Sequence, residues 1–356
     1  MTFGKFFLPG PTDVDPEVLA AMQRPMIGHR SSAMEQLLRK MAPRLASVFR
    51  TNRPVLVGTA SATGFMEMAV RNGVRRRALS LVNGAFSERF ANLVSAAGKE
   101  CIRLNVPPGC AVEPDMLRDA LRRTPVDAVT LVHSETSTGV LQDVEALAGV
   151  ARDFDDVLVL VDAVTSLAGS PVETDRWGLD FTLTGSQKAL ALPPGLALAA
   201  ASELMVARAK TLEGRGLYFD LVSFEQATTS FQPTNTPALS LFYALDVQLE
   251  RIERAGGVEA RWRRHEAMRR RVEDWSAERG IEFLPREGRR SWTVSCLKVP
   301  SGKTAKQIVT GLKEQGWTIG AGYGALKEST IRIGHMGDHT VAGLDELLPL
   351  IERALG

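Results

Sequence analysis

Lys188 closes the stretch Thr184-Gly185-Ser186-Gln187-Lys188, and Asp162 stands 26 residues earlier, at the end of the apolar run Val157-Leu158-Val159-Leu160-Val161. An amine and a carboxylate at the tips of buried strands suit one chemistry well. The amine can condense with the aldehyde of pyridoxal phosphate. The carboxylate can keep the pyridine nitrogen protonated, so that the ring draws electrons from a bound amino acid. An unpaired acid after five apolar residues suffers a heavy desolvation cost, which a pyridinium N–H offsets with a charge-assisted hydrogen bond. A structural ion pair is the other use for such an acid. Pro193-Pro194-Gly195 follow Lys188 and place it in a tight loop, where apolar surroundings lower an amine's pKa.

Three further segments carry groups such chemistry needs. Gly58-Thr59-Ala60-Ser61-Ala62-Thr63-Gly64 joins a strand to a helix. Its small residues let backbone amides approach a phosphate, with hydroxyls from Ser61 and Thr63. A plain capped turn has the same composition, and neither the Walker nor the dinucleotide glycine pattern is matched. Phe86 follows another strand end and can stack on a flat ring or fill a core. Thr136, in His133-Ser134-Glu135-Thr136-Ser137-Thr138-Gly139, can donate to a phenolic oxygen or satisfy its own turn.

The elements that must position these groups follow from hydrophobic patterning. Between residues 54 and 200, apolar runs predict strands at 54–58, 79–82, 100–104, 127–132 and 157–161, with helices at 63–73, 115–123 and 144–153. Apolar-throughout strands alternating with helices predict an α/β fold with a mainly parallel sheet covered on both faces. Ligands of such sheets gather at the carboxyl ends of the strands. Gly58, Asn83, His133, Asp162 and Gly185 all fall there. After residue 237 the pattern changes to helices at 238–254 and on to about 279, a strand at 292–299, a helix at 304–315, a strand at 330–334 and a helix at 341–355. A smaller α+β domain is expected from Gly256 onward.

Composition excludes little but steers the reading. The 356 residues are 44% hydrophobic and 24% charged, with a net charge of +2, which gives no reason to expect nucleic acid or an anionic membrane as partner. The basic run at 261–271 reads as a solvated helix face. Three cysteines, Cys101, Cys110 and Cys296, lack CxxC spacing and point to a reducing, cytoplasmic setting without a metal cluster. The first residues lack the apolar core of a secretion signal, and no apolar stretch is long enough to span a membrane. His335 and His339 have the spacing of a helical metal pair, but Gly337 between them argues against a helix.

These stretches together resemble the class V, fold-type I pyridoxal-phosphate aminotransferases, close to the alanine–glyoxylate and serine–pyruvate branch. The matching segments are Pro9-Gly10-Pro11-Thr12, Gly28-His29-Arg30-Ser31, His133 to Leu141, Val161 to Leu167, Gly185 to Ala189 and Arg332-Ile333-Gly334. The resemblance implies an N-terminal segment (1–15) near the site, a large cofactor-binding domain (16–255) and a small C-terminal domain (256–356). It implies Lys188 as the lysine that joins pyridoxal 5'-phosphate and Asp162 as partner of the ring nitrogen. Phe86 is implied as the stacking ring, with Ser61, Ala62, Thr63 and Gln187 around the phosphate. Thr136 is implied near the phenolic oxygen, and Val164 among the cofactor contacts.

Thr236 matches a position that reaches the phosphate from a partner subunit, which implies a homodimer with shared sites. Relatives often carry a tyrosine three residues earlier, where this chain has Pro233. Arg332 matches the arginine that grips the substrate's α-carboxylate. The implied reaction is a ping-pong transfer from a small amino acid, serine or alanine foremost, to glyoxylate or pyruvate. His29 and Arg30 keep phosphoserine and aspartate open as donors, since either needs a further cation. A cysteine desulfurase shares the fold but needs a mobile thiol, whereas Cys101 and Cys296 fall in strand-like runs. A cofactor-binding regulator is a further alternative, although no basic DNA-binding module accompanies the fold.

Overall fold

The computed structural model describes residues 3–355. Its larger sheet has seven strands in the order Val55–Thr59, Leu196–Ala201, Phe181–Gly185, Leu158–Asp162, Ala128–Val132, Arg77–Val82 and Glu100–Asn105. Leu196–Ala201 runs antiparallel to both neighbours and the other pairings are parallel, so the mainly parallel α/β fold expected from the sequence is present. All five residues of Ala128–Val132, Leu158–Asp162 and Phe181–Gly185 are buried. That is why Leu158–Val161 reads as a continuous apolar run and Ala128–Val132 as one broken only by Thr130: Val129, Leu131, Val159 and Val161 enter one core, while Ala128, Leu158, Leu160 and Leu183 enter another on the opposite face.

Register brings the chemistry to one edge. Asp162 lies opposite Val132 and Leu183 at the strand ends, and Lys188 follows five residues beyond Leu183. Strands Arg77–Val82 and Ala128–Val132 are neighbours whose onward connections go to opposite sides, to Glu100–Asn105 and to Leu158–Asp162. The loops after these two strands therefore diverge, and such a switch point opens a crevice for a ligand.

A second sheet orders Phe6–Phe7, Thr318–Ala321, Thr330–Ile333 and Ser295–Lys298. It packs with helices Gly257–Glu278, Ala305–Glu314 and Val341–Leu355 around Phe7, Met268, Trp275, Ile308, Ile331 and Leu348. Two sequence expectations need correction here. The strand expected at 292–299 is only Ser295–Lys298, because the Ser291 hydroxyl accepts the amide N–H groups of Thr293 and Val294 at 3.2 and 3.3 Å and turns the chain. The basic run is not wholly solvated either. Arg261 and His265 are buried; Arg261 donates to the Ala189 carbonyl at 2.6 and 3.0 Å and pairs with Asp338 at 2.7 Å.

Candidate active site

Ser61, Ala62, Thr63, Phe86, Thr136, Asp162, Val164, Gln187 and Lys188 line one cavity of about 160 Å³. These nine come from five separate segments. Ser61 precedes helix Ala62–Gly73 and its hydroxyl makes no capping bond, so the helix start offers amides and free hydroxyls to an anion. Phe86 is only partly buried and faces the cavity with its ring centroid 6.0 Å from Lys188 Nζ. The core-filling alternative for it is thereby set aside. The Thr136 hydroxyl is hydrogen-bonded to that of Thr165.

Asp162 and Lys188 are both buried. Burial pushes the Asp162 carboxyl up to about 7; the Val164 amide opposes this and the charge of Glu135 adds to it. Its Oδ1 accepts from the Val164 N–H at 2.7 Å, while Oδ2 has no hydrogen-bond partner among the described residues. Burial, and after it the charge of Arg332, brings the Lys188 amine down to about 8. A lowered value leaves an appreciable fraction of free amine near neutral pH.

The lysine loop is held from outside. Lys188 Nζ donates to the Pro9 carbonyl, and a Cβ on Gly10 would overlap the lysine side chain. The Thr12 N–H and hydroxyl bond the carbonyls of Gln187 and Lys188 at 3.1 and 3.3 Å. Phe6–Phe7, a few residues earlier, belongs to the second sheet, so the N-terminal segment ties that sheet to Lys188.

Arg332 does not line the cavity but stands close by. Its Nε and Nη1 donate to the carbonyls of Ala321 and Thr136 at 2.9 and 3.1 Å. It makes no ion pair among the described residues, unlike a surface salt-bridge arginine. His29, Arg30 and Thr236 are not brought to the cavity: His29 is half-buried, and Arg30 and Thr236 are exposed.

Several cavity neighbours went unassigned from the sequence. Arg89 lines the cavity and lies 5.0 Å from the Phe86 ring. Tyr323 places its ring 5.7 Å from both Phe86 and the Arg332 guanidinium carbon. Glu135 is wholly buried; an acid three residues past the mostly apolar strand Ala128–Val132 is the signal that could have found it. Other titratable groups are engaged elsewhere. Cys296 is buried with its thiol pushed up to about 11 by burial, Cys101 sits within a strand, His335 bonds Ser295 at 2.9 Å, and His339 stacks on Phe7.

Comparison with known proteins is consistent with this site. The family model described as aminotransferase class-V matches residues 6–347. An uncharacterized aminotransferase of Methanocaldococcus jannaschii is 38% identical, over 96% of this chain and 89% of that protein. The L-aspartate–glyoxylate aminotransferase of Paracoccus denitrificans is 30% identical, over 94% and 87%. The structure of an alanine–glyoxylate aminotransferase from Nostoc sp. superposes with a TM-score of 0.94 at 28% identity, covering 99% of this chain and 95% of that one.

Proposed function

The chain belongs to the class-V aminotransferases, and from that premise we propose that it moves an amino group between a small amino acid and a small 2-oxo acid by a ping-pong mechanism. The family and fold are generally those of pyridoxal-phosphate enzymes. The observation that carries the reading is the free Oδ2 of buried Asp162 in the same small cavity as Lys188. A carboxylate left half-satisfied at that depth fits a pyridinium N–H, and the helix start at Ser61–Thr63 fits a phosphate.

When bound, pyridoxal 5'-phosphate supplies an aldehyde that takes up amines and a ring that accepts electron density. In this reading Ser61, Ala62, Thr63 and Gln187 would hold its phosphate, Phe86 and Val164 would contact the ring, and Thr136 would donate to the phenolic oxygen. Asp162 would hold the proton at the ring nitrogen. Arg332 orients the substrate through its carboxylate as a planar fork. Lys188, whose lowered pKa leaves an appreciable fraction of its amine unprotonated near neutral pH, would take the proton from the substrate α-carbon and return it at the carbon supplied by the cofactor's aldehyde.

Alanine or serine is the proposed donor and glyoxylate or pyruvate the acceptor, supported by the likeness to the Nostoc enzyme. Aspartate is the second reading. It needs a cation for its other carboxylate, and Arg89 lines the cavity without an ion-pair partner among the described residues. The Paracoccus relative favours the same reading. Exposed Thr236 supports a homodimer in which a second copy receives it. The separate core around the second sheet supports the division at 1–15, 16–255 and 256–356. Three free cysteines support a cytoplasmic setting, and among the described residues no helix is long and apolar enough to cross a membrane.

A half-reaction screen tests the reading. Cofactor-loaded protein mixed with alanine, serine, aspartate, glutamate or phosphoserine should lose its long-wavelength absorbance fastest with alanine or serine. A response to phosphoserine alone would refute the choice of donor.

A further inference from the structure

We propose that Glu135 is a positioning residue: its carboxylate fixes where the Phe86 ring stands over the cavity and, through the adjoining Thr136, where the Arg332 guanidinium sits. This rests on the aminotransferase reading above. Glu135 ends the two-residue strand Ser134–Glu135 that follows Ala128–Val132, and Phe86 lies in the first turn of helix Ala85–Ala96 after strand Arg77–Val82. The two loops meet at the switch point of the sheet. A helix start there leaves backbone N–H groups without intrahelical partners, and the loop at 135–137 takes them.

The Ala85 N–H donates to Ser137 Oγ at 3.0 Å. Glu135 Oε2 accepts from the N–H groups of Phe86 and Ser87 at 3.2 and 2.9 Å and from the Ser87 hydroxyl at 3.0 Å. Oε1 accepts from the Ser137 N–H at 3.1 Å and from its hydroxyl. Every bond is one Glu135 accepts, as a carboxylate requires. The approach is as close as the backbone permits, because a Cβ on Gly84 would overlap the Glu135 side chain. Only glycine fits there.

The far side of the same loop faces the chemistry. Thr136 lies between the two capping residues. Its hydroxyl pairs with Thr165, and its carbonyl receives Arg332 Nη1 at 3.1 Å. Three consecutive residues thus hold the stacking ring on one side and the carboxylate-binding arginine on the other. The negative charge of Glu135 also adds to the rise of Asp162, so the same side chain acts on both ends of the cofactor ring's environment.

The test compares wild type with Glu135→Gln, which keeps the volume but turns a donor toward N–H and O–H groups that already donate. Four quantities are read: affinity for pyridoxal phosphate, induced circular dichroism of the bound cofactor band, KM for alanine, and Tm of ligand-free protein. Glu135→Gln should weaken cofactor affinity and raise KM by about tenfold each, and alter the dichroism, since bonds to a buried charged group are lost. A fallen Tm with affinity, dichroism and KM all within twofold of wild type overturns the proposal and leaves a plain helix cap. If Glu135→Gln does not fold, Ser137→Ala decides: about threefold weaker binding with the same dichroic change supports the proposal, and unchanged values overturn it. Wild type that takes up no pyridoxal phosphate overturns the parent reading together with this one; wild type that binds beside a variant that binds equally well overturns this one alone.

Discussion

The strand-end cavity and the exposed segments at 28–31 and 234–237 are built on opposite terms. In the cavity, nine of the residues implied by the sequence come together within one chain, and Asp162 and Lys188 are buried. In the exposed segments, Arg30 and Thr236 reach solvent. Buried polar groups must be satisfied by their own fold or by a ligand, because leaving them bare is costly. Exposed ones are free to serve a partner or nothing at all. Roles inferred for the first set are therefore constrained by one chain's physics, while those inferred for the second wait on a second copy or a substrate.

That contrast breaks most sharply at Lys188. Lys188→Ala should lower turnover by about four orders of magnitude, the loss expected when a general base is removed, as measured by coupled keto-acid release. Asp162→Asn should lower turnover by about a hundredfold or more, and it has a second signature without cofactor. The Asp162 carboxyl lies well above its ordinary value in the folded chain. Its stability contribution is therefore complete below about pH 4 and lost as pH rises through about 7, by on the order of 4 kcal/mol. The Asn variant of ligand-free protein should melt higher than wild type above pH 7 and alike at pH 4, by calorimetry. Equal melting at both would mean the acid is satisfied without a ligand.

Arg332→Gln should raise KM for the amino acid by about a hundredfold with kcat less affected, as for one partner of a desolvated charge pair. In the exposed set the effects should be small and conditional. Thr236→Val should weaken cofactor affinity by only about threefold, the value of one hydrogen bond, and only under conditions where the chain is dimeric by sedimentation. Arg30→Ala should leave alanine turnover within twofold. A larger loss with alanine would move Arg30 into the first group.

The same division marks what was legible in the sequence. Asp162 stood out because an acid at the end of five apolar residues is anomalous, and Lys188 because it follows in a tight loop bounded by Pro193-Pro194-Gly195; the sheet's register then brings the two strand ends together. Glu135 carried a weaker form of that signal, since Thr130 interrupts the strand before it and His133 and Ser134 intervene, and its partners are backbone N–H groups 48 and 49 residues earlier, which carry no sequence signal. Tyr323 reaches the site through ring contacts, and Arg89, which lines the cavity, sits on a helix face that reads as solvent-facing. Arg261 sits in a run of charges whose pattern reads as solvated, and only the packing of helix Gly257–Glu278 against the Lys188 loop turns it inward. The shortened strand at Ser295 followed from a side chain capping its own turn, a local competition that hydrophobic patterning does not register.

Borohydride reduction of the cofactor-loaded protein, followed by peptide mass spectrometry, tests the central claim most directly. A pyridoxyl group should appear on the peptide containing Lys188 and be lost in Lys188→Ala. A cofactor that binds tightly yet leaves Lys188 unlabelled, or labels another lysine, would contradict it.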